Sequence, residues 1–442
     1  MNVADQHGAT QPNASDRRSF HLALLVIVCL AALFRFGYVI VAKAGDPAVG
    51  DQIYYSAQAS TLADGRLFDD PFMIGIPAAD HAPLTSVALV PASVVGQHTL
   101  MQQRLLMAAY GSLVVAAIGL LGYRVGGRRT GLVAAGIAAV YANLWMNDGL
   151  AMSETLATLA AVCALLATIR LREHPDLRSA AILGAVLGIA TLTRAELLLL
   201  YPILTVLAVL RSSTSVRNSL RLAAVAGCAM VLMVGPWVGW NLARFEQPTF
   251  ISTQDGLTLA GANCQQTYFG PGVGFWSYDC ATVIEPLPGR DKSTVSGQLR
   301  STGIDYALAH TAQWPTVVAA RLGAGLSVWR VSGMIYLNTG EGREAWASRL
   351  GVYQWWILVP FAIFGLVNAG RFQRWLLLSP MILSVLVIAA FYGIPRFRVC
   401  AEGAVVVAAA LGIDHLIRRF RSSSEDASAS ASMSKPAPHP VR

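Results

Sequence analysis

Asp51 stands just past an apolar stretch, and Tyr54, Tyr55, Ala59 and Leu62 follow it at helical spacing. A carboxylate there has two uses. It can cap an amphipathic surface helix by accepting a backbone N–H, or it can act as a general base or charge partner at the mouth of a membrane cavity. The second use gains weight from other ionisable groups expected at the same face: Asp80 and His81 in ADHAPLTS, Asp148 and Glu154 in NDGLAMSETLA, Arg194 in LTRAE, and Arg396 and Arg398 in YGIPRFRVCAE. Charges at the ends of apolar helices are costly and face a cavity or a partner. Arginines in such places suit an anion, because the guanidinium fork matches phosphate oxygens bidentately. Taken singly, each group also has a plainer role: Glu154 and Arg194 as a structural ion pair, His81 before Pro83 as a loop residue. Asp51, Asp80 and His81 are chemically possible ligands for a divalent ion, but the sequence has no HExxH, paired-Cys or ligand-spaced triad, so metal dependence is only weakly supported.

Apolar helices must position these groups. Of 442 residues, 55% are apolar and 13% charged, against about a quarter charged in an ordinary soluble domain. With a mean hydropathy of +0.51, this is the composition of a polytopic all-α membrane protein; fibrous, disordered and disulfide-framework classes are excluded. Apolar stretches near 20–42, 101–123, 130–147, 152–170, 179–193, 197–210, 222–240, 351–368, 375–393 and 400–417 give about ten transmembrane helices at about 20 residues per crossing.

The net charge of +8 comes in short clusters between spans, such as Arg124/Arg128/Arg129, Arg371/Arg374 and Arg418/Arg419/Arg421, which orient a membrane protein and do not form a nucleic-acid surface. They put both termini in the cytoplasm of a plasma-membrane protein, with the candidate site outside. The expected organisation is a cytoplasmic tail at 1–19, a transmembrane catalytic core at 20–240 with a first outer loop at 43–100, an extracytoplasmic loop region at 241–350 with an interfacial helix over 309–334, C-terminal transmembrane helices at 351–417, and a disordered cytoplasmic tail at 418–442. Cys264 and Cys280 fall in the long outer loop, where an oxidising compartment makes them disulfide partners.

Several short elements recur in order: the acid and YY helix of Asp51 to Gly65, the Pro-Leu step within His81 to Leu84, the GRR turn at Gly127 to Arg129, SETL at Ser153 to Leu156, GIATLTR at Gly188 to Arg194, Pro236 to Asn241 followed by ISTQDG at Ile251 to Gly256, and PRFR at Pro395 to Arg398. Their order, spacing and sidedness resemble the GT-C superfamily of polyprenyl-phosphate-sugar glycosyltransferases, in the branch of protein O-mannosyltransferase-like and lipid A aminoarabinose transferase-like membrane proteins. The Cys-bracketed segment is similar to a loop in actinobacterial proteins of this branch. Members often have Asp-Glu and Pro-Pro where this chain has Asp51-Gln52 and Ala82-Pro83.

The resemblance implies a GT-C-like fold and transfer of a sugar from a polyprenyl-phosphate donor to an extracytoplasmic glycan, lipid or protein. It makes Asp51 the catalytic base and Arg194, Arg396 and Arg398 contacts of the lipid phosphate; Tyr54, Tyr55, His81 and Glu154 line the same expected donor and substrate site. The competing class is a transporter or flippase of a glycolipid or anionic solute. Transporter sites favour the bilayer midplane, whereas these charges gather at one face. A non-catalytic glycolipid-binding scaffold is a third class.

Overall fold

The computed structural model describes residues 14–73, 75–209, 215–284 and 290–433. In chain order the helices are α1 (Ala14–Ala42), α2 (Asp51–Ala63), α3 (Leu84–Val95), α4 (Leu100–Gly126), α5 (Arg128–Val140), α6 (Ala142–Asp148), α7 (Glu154–Glu173), α8 (Leu177–Thr193), α9 (Leu200–Val209), α10 (Val216–Arg244), α11 (Gln254–Ala262), α12 (Gln265–Tyr268), α13 (Tyr278–Ala281), α14 (Lys292–Ala309), α15 (Trp314–Gly325), α16 (Val331–Gly340), α17 (Ala345–Asn368), α18 (Arg371–Ala390) and α19 (Val399–Met433).

Seven helices among the described residues are long and apolar enough to cross a membrane: α1, α4, α7, α10, α17, α18 and the segment Pro395–Arg421 that contains most of α19. Of the other three expected crossings, 179–193 and 197–210 are shorter apolar helices. The third, 130–147, is broken at Tyr141, whose extended backbone ends α5 after 13 residues; at 1.5 Å per residue that is about 20 Å, short of a bilayer core of about 30 Å.

Burial separates central from peripheral helices. The apolar windows of α7 and Pro395–Arg421 are 72% and 78% buried, whereas those of α1 and α10 are 28% and 22% buried. The central pair is rich in alanine, as in AEGAVVVAAALG after Cys400, which lets backbones approach closely. Where α17 crosses α19, a Cβ on Gly365 would collide with the Ala408 carbonyl, and one on Gly412 with that of Phe361.

Two segments differ from expectation. The helix expected over 309–334 is two helices, α15 and α16, separated by a turn in which Ser327 and Arg330 have positive φ. Arg321, in α15, is buried within the protein, and its guanidinium donates to the carbonyls of Ala389, Ala390 and Ala262 at 3.0, 3.0 and 2.7 Å. At the C-terminus, α19 runs to Met433 through much of the tail expected to be disordered; its Ser-Ala repeats include the best helix former, alanine. Residues 1–13 and 434–442 of the two expected tails lie outside the described residues.

Candidate active site

Arg396 organises the site. It sits in the tight turn Pro395–Arg398 that leads into α19, with Pro395 at the turn's start fixing the local φ. Its guanidinium fans out to three carboxylates from distant segments: Nη2 to Asp51 Oδ2, Nε to Glu154 Oε1, and Nη1 to Glu341 Oε1 at 2.8 Å.

Asp51 is the first residue of α2, but it is not a cap. The N-cap is Gly50, and no side chain caps this helix. With no backbone N–H claiming it, the carboxylate faces Arg396 on one side and His81 Nε2, 3.6 Å from Oδ1, on the other. Burial opposes ionisation of Asp51, yet the nearby Arg396 and then His81 outweigh it and hold the carboxyl well below its usual range. Its side chain is 27% exposed, so it stays reachable from outside.

Glu154 opens α7 and is 1% exposed. Besides Arg396, its Oε1 lies 3.4 Å from Arg343 Nη2 and 3.6 Å from Arg194 Nη1. The expected Glu154–Arg194 pair is therefore one edge of a larger network. Arg194 also binds Glu196 at 2.6 Å, and Arg343 binds Glu341 and donates to Asn147 Oδ1 at 2.8 Å. Among the described residues, Glu154 Oε2, Arg194 Nη1 and Arg343 Nη2 are buried without a hydrogen bond, so the network keeps polar capacity for a ligand. Beside Arg396 and Arg343 is a cavity of about 20 Å³ bounded by Asn143, Asn147, Asn338 and Glu402, room for a water.

His81 lies over the Tyr55 ring, stacked at 4.7 Å, with Tyr54 edge-on at 5.3 Å. Both tyrosines are buried, and the Tyr54 hydroxyl accepts from the Asp80 backbone N–H at 3.3 Å. They fix the imidazole beside Asp51 and do not present an open face. Lys292 at the start of α14 bridges Asp70 and Asp80, each at 2.6 Å. Asp80 is thereby directed to a lysine and Asp51 to an arginine. Of the three possible metal ligands, Asp51 and His81 meet while Asp80 turns to Lys292, and no group of three His, Cys, Asp or Glu residues suited to a metal is found among the described residues.

Arg398 is placed elsewhere. It is fully buried, paired with Glu402 at 2.7 Å, bonded to the Gly325 carbonyl at 2.8 Å and stacked 3.6 Å over Trp355; the Tyr141 hydroxyl donates to the other oxygen of Glu402 at 2.7 Å. That is a structural clamp inside the bundle. Asp148 likewise turns inward, to Arg35 at 2.7 Å and the Thr155 hydroxyl at 2.7 Å.

Cys264 and Cys280 form a disulfide. The loop it closes docks on the arginine turn, since Gly274 accepts from the Gly393 N–H at 2.7 Å and Trp276 packs at 6.3 Å from Tyr392.

Sequence reasoning missed Glu341 and Arg343. Their only sequence signal is a cluster of charges, EGRE, directly before the apolar run of α17.

Residues 80–240 match the family of dolichyl-phosphate-mannose-protein mannosyltransferases. No curated relative matches the sequence. Among solved structures, the archaeal oligosaccharyltransferase AglB from Archaeoglobus fulgidus, in complex with an inhibitory peptide and a dolichol-phosphate, is similar with a TM-score of 0.55 and 12% identity, over 97% of this chain and 53% of that one. The apo form of the oligosaccharyltransferase from the same organism gives 0.57 and 14%, over 94% and 53%. ArnT from Cupriavidus metallidurans bound to undecaprenyl phosphate is 16% identical over 97% of this chain and 82% of that one, with a TM-score of 0.41. The chain thus spans about half the length of the archaeal oligosaccharyltransferase, whose fold it shares at low identity. Residues 80–240 thus carry a mannosyltransferase family match within a chain that shares the fold of the archaeal oligosaccharyltransferase.

Proposed function

We propose that the protein transfers a sugar from a polyprenyl-phosphate donor to an acceptor hydroxyl on the extracytoplasmic side of the plasma membrane, with Asp51 as the base. The observation that carries this reading is the meeting of Asp51 with Arg396 and His81 at one end of the apolar bundle, in a GT-C fold. The basic clusters gather toward the other end, where Arg129 and Arg418 bind Asp414 of α19 at 3.2 and 2.6 Å. By the positive-inside rule that end, with both termini, is cytoplasmic.

The chemistry follows from the charges. Asp51 takes the proton of the acceptor hydroxyl. The acceptor oxygen forms the new bond to the anomeric carbon as the bond from that carbon to the phosphate oxygen breaks, and the bonding electrons leave with the phosphate. Arg396 and Arg194 stabilise the charge that grows there. At rest Arg396 holds Asp51 as a weak base. A phosphate that engages Arg396 loosens this hold and raises the basicity of Asp51 when the donor is in place.

The decisive experiment incubates purified protein with radiolabelled polyprenyl-phosphate sugars and membrane extract. Transfer of label to an acceptor supports the reading. Donor that crosses the bilayer intact, with no sugar released, refutes it in favour of a flippase.

A further inference from the structure

Glu341 occupies a place between two guanidinium groups that a phosphate would also fill. Its Oε1 lies 2.8 Å from Arg396 Nη1, and its Oε2 rests on Arg343 Nη1. Two oxygens of one anion thus bridge two guanidinium groups, the arrangement that phosphate oxygens adopt on paired arginines. We infer that Arg396 Nη1 and Arg343 Nη1 form the subsite for the donor's anionic phosphate, and that Glu341 is a resident carboxylate which the phosphate displaces. This rests on the donor reading above and adds to it Arg343, the resident anion and the exchange.

Three features select Glu341 as the group that leaves. The first is access. Its side chain is 19% exposed, whereas Glu154, which touches the same two arginines, is 1% exposed. The second is anchorage. Lys43 Nζ donates to the Gly342 carbonyl at 2.6 Å, Gln52 Nε2 to the Glu341 carbonyl at 3.2 Å, and Arg343 Nε to Asn147. The main chain is held while the carboxylate swings out, so the exchange is a rotamer change and not a loop movement. Gly342 belongs to this device: its φ is +87°, and a Cβ there would meet Gln52 Nε2 at 2.7 Å.

The third feature is charge. Three guanidinium groups, of Arg194, Arg343 and Arg396, already face four carboxylates, of Asp51, Glu154, Glu196 and Glu341. A phosphate added to this set would meet net repulsion; one that replaces Glu341 leaves the balance nearly unchanged. After the exchange Glu154 Oε1 still lies against both arginines, so neither loses its buried counter-ion.

The test measures binding of undecaprenyl phosphate to the full chain in nanodiscs. Glu341→Gln keeps the shape and the anchored backbone but removes the competing charge, and it is expected to tighten binding about tenfold, within the usual range of site-to-site coupling. Glu341→Asp, too short to span both arginines, should tighten it in the same direction and serves if the Gln variant unfolds. Adding Arg343→Gln to Glu341→Gln should abolish the gain. Asp255→Asn, which removes an outer charge paired with Arg300 away from the site, should leave affinity unchanged; a gain there equal to that of Glu341→Gln would reduce the effect to general electrostatics and overturn the inference. Wild-type binding that Glu341→Gln leaves equal or weaker also overturns the inference alone. Absence of binding in both proteins overturns it together with the donor reading.

Discussion

Arg396 and Asp51 stand 345 positions apart in sequence and meet as guanidinium and carboxylate at one end of the bundle. Arg396 enters from the turn before the last crossing and Asp51 from the segment after the first. This carboxylate and its guanidinium therefore come together only when the whole helix array has closed.

Replacing Asp51 by Asn should lower sugar transfer by at least about 100-fold, the lower range for loss of a general base. Folding should survive. Arg396 keeps Glu154 and Glu341 as partners, so no buried cation is left uncompensated. Transfer of radiolabelled sugar, together with a thermal melt of the purified variant, checks both parts; wild-type turnover by the Asn protein would remove Asp51 from the chemistry.

The pH response follows from the depressed Asp51 carboxyl. A group whose folded pKa lies below its unfolded value, about 3.9 for Asp, adds stability that is present above that value and is lost as pH falls through the folded one. Asp51 should thus stay ionised throughout the neutral and mildly acidic range, with its acid limb in kcat/KM below about pH 4. His81→Asn removes one of the groups that lower it and should move that limb to higher pH. A limb unmoved by the substitution would show that His81 does not set the charge of Asp51.

Arg398→Met tests the separation of the two arginines. It leaves Glu402, 2% exposed, without its cation, and breaking a buried pair costs about 3–5 kcal/mol. The melting temperature should drop clearly, while affinity of the folded fraction for polyprenyl phosphate stays near wild type. A selective loss of affinity with an unchanged melt would return Arg398 to the phosphate site.

Reduction, or Cys264→Ser with Cys280→Ser, should destabilise the protein by about 3 kcal/mol, the chain-entropy value for a loop of this size. The disulfide loop rests on Gly393, three residues before Arg396, so transfer should fall as well. Unfolding of reduced and oxidised protein by denaturant measures the first effect, and radiolabel transfer at a temperature where both are folded measures the second.

Long apolar runs made the principal crossings legible, because about 20 consecutive apolar residues have few other uses. The break at Tyr141 was hidden: apolar composition continues across it, and only the backbone turns. Asp51, His81, Glu154, Arg194 and Arg396 could be read as a group because each falls on the same expected face of the membrane. Arg398 was misplaced by proximity. In a tight turn of three residues per cycle, positions two apart point about 120° away from each other, so Arg396 faces the carboxylate network while Arg398 enters the core. Glu341 and Arg343 lie in a loop without periodicity, where nothing in the sequence says which of several charges the fold will turn inward.

The glycine-lined crossing of α17 and α19 sets which parts of the site open first. Where two backbones touch, separating them forfeits close contact along the helices, and α19 belongs to the most buried layer. Amide hydrogens of residues 400–412 should therefore be among the last to exchange with deuterium, close to the limit of global unfolding. Those of 44–50, a connection with few backbone hydrogen bonds, should exchange early. The arginine at the head of α19 is thus carried on the slowest-opening part of the molecule, and one of its carboxylate partners, Asp51, follows directly on a fast-opening connection. Asp51 can thus be uncovered by fluctuations of that connection alone, on a shorter timescale than any parting of the long apolar helices.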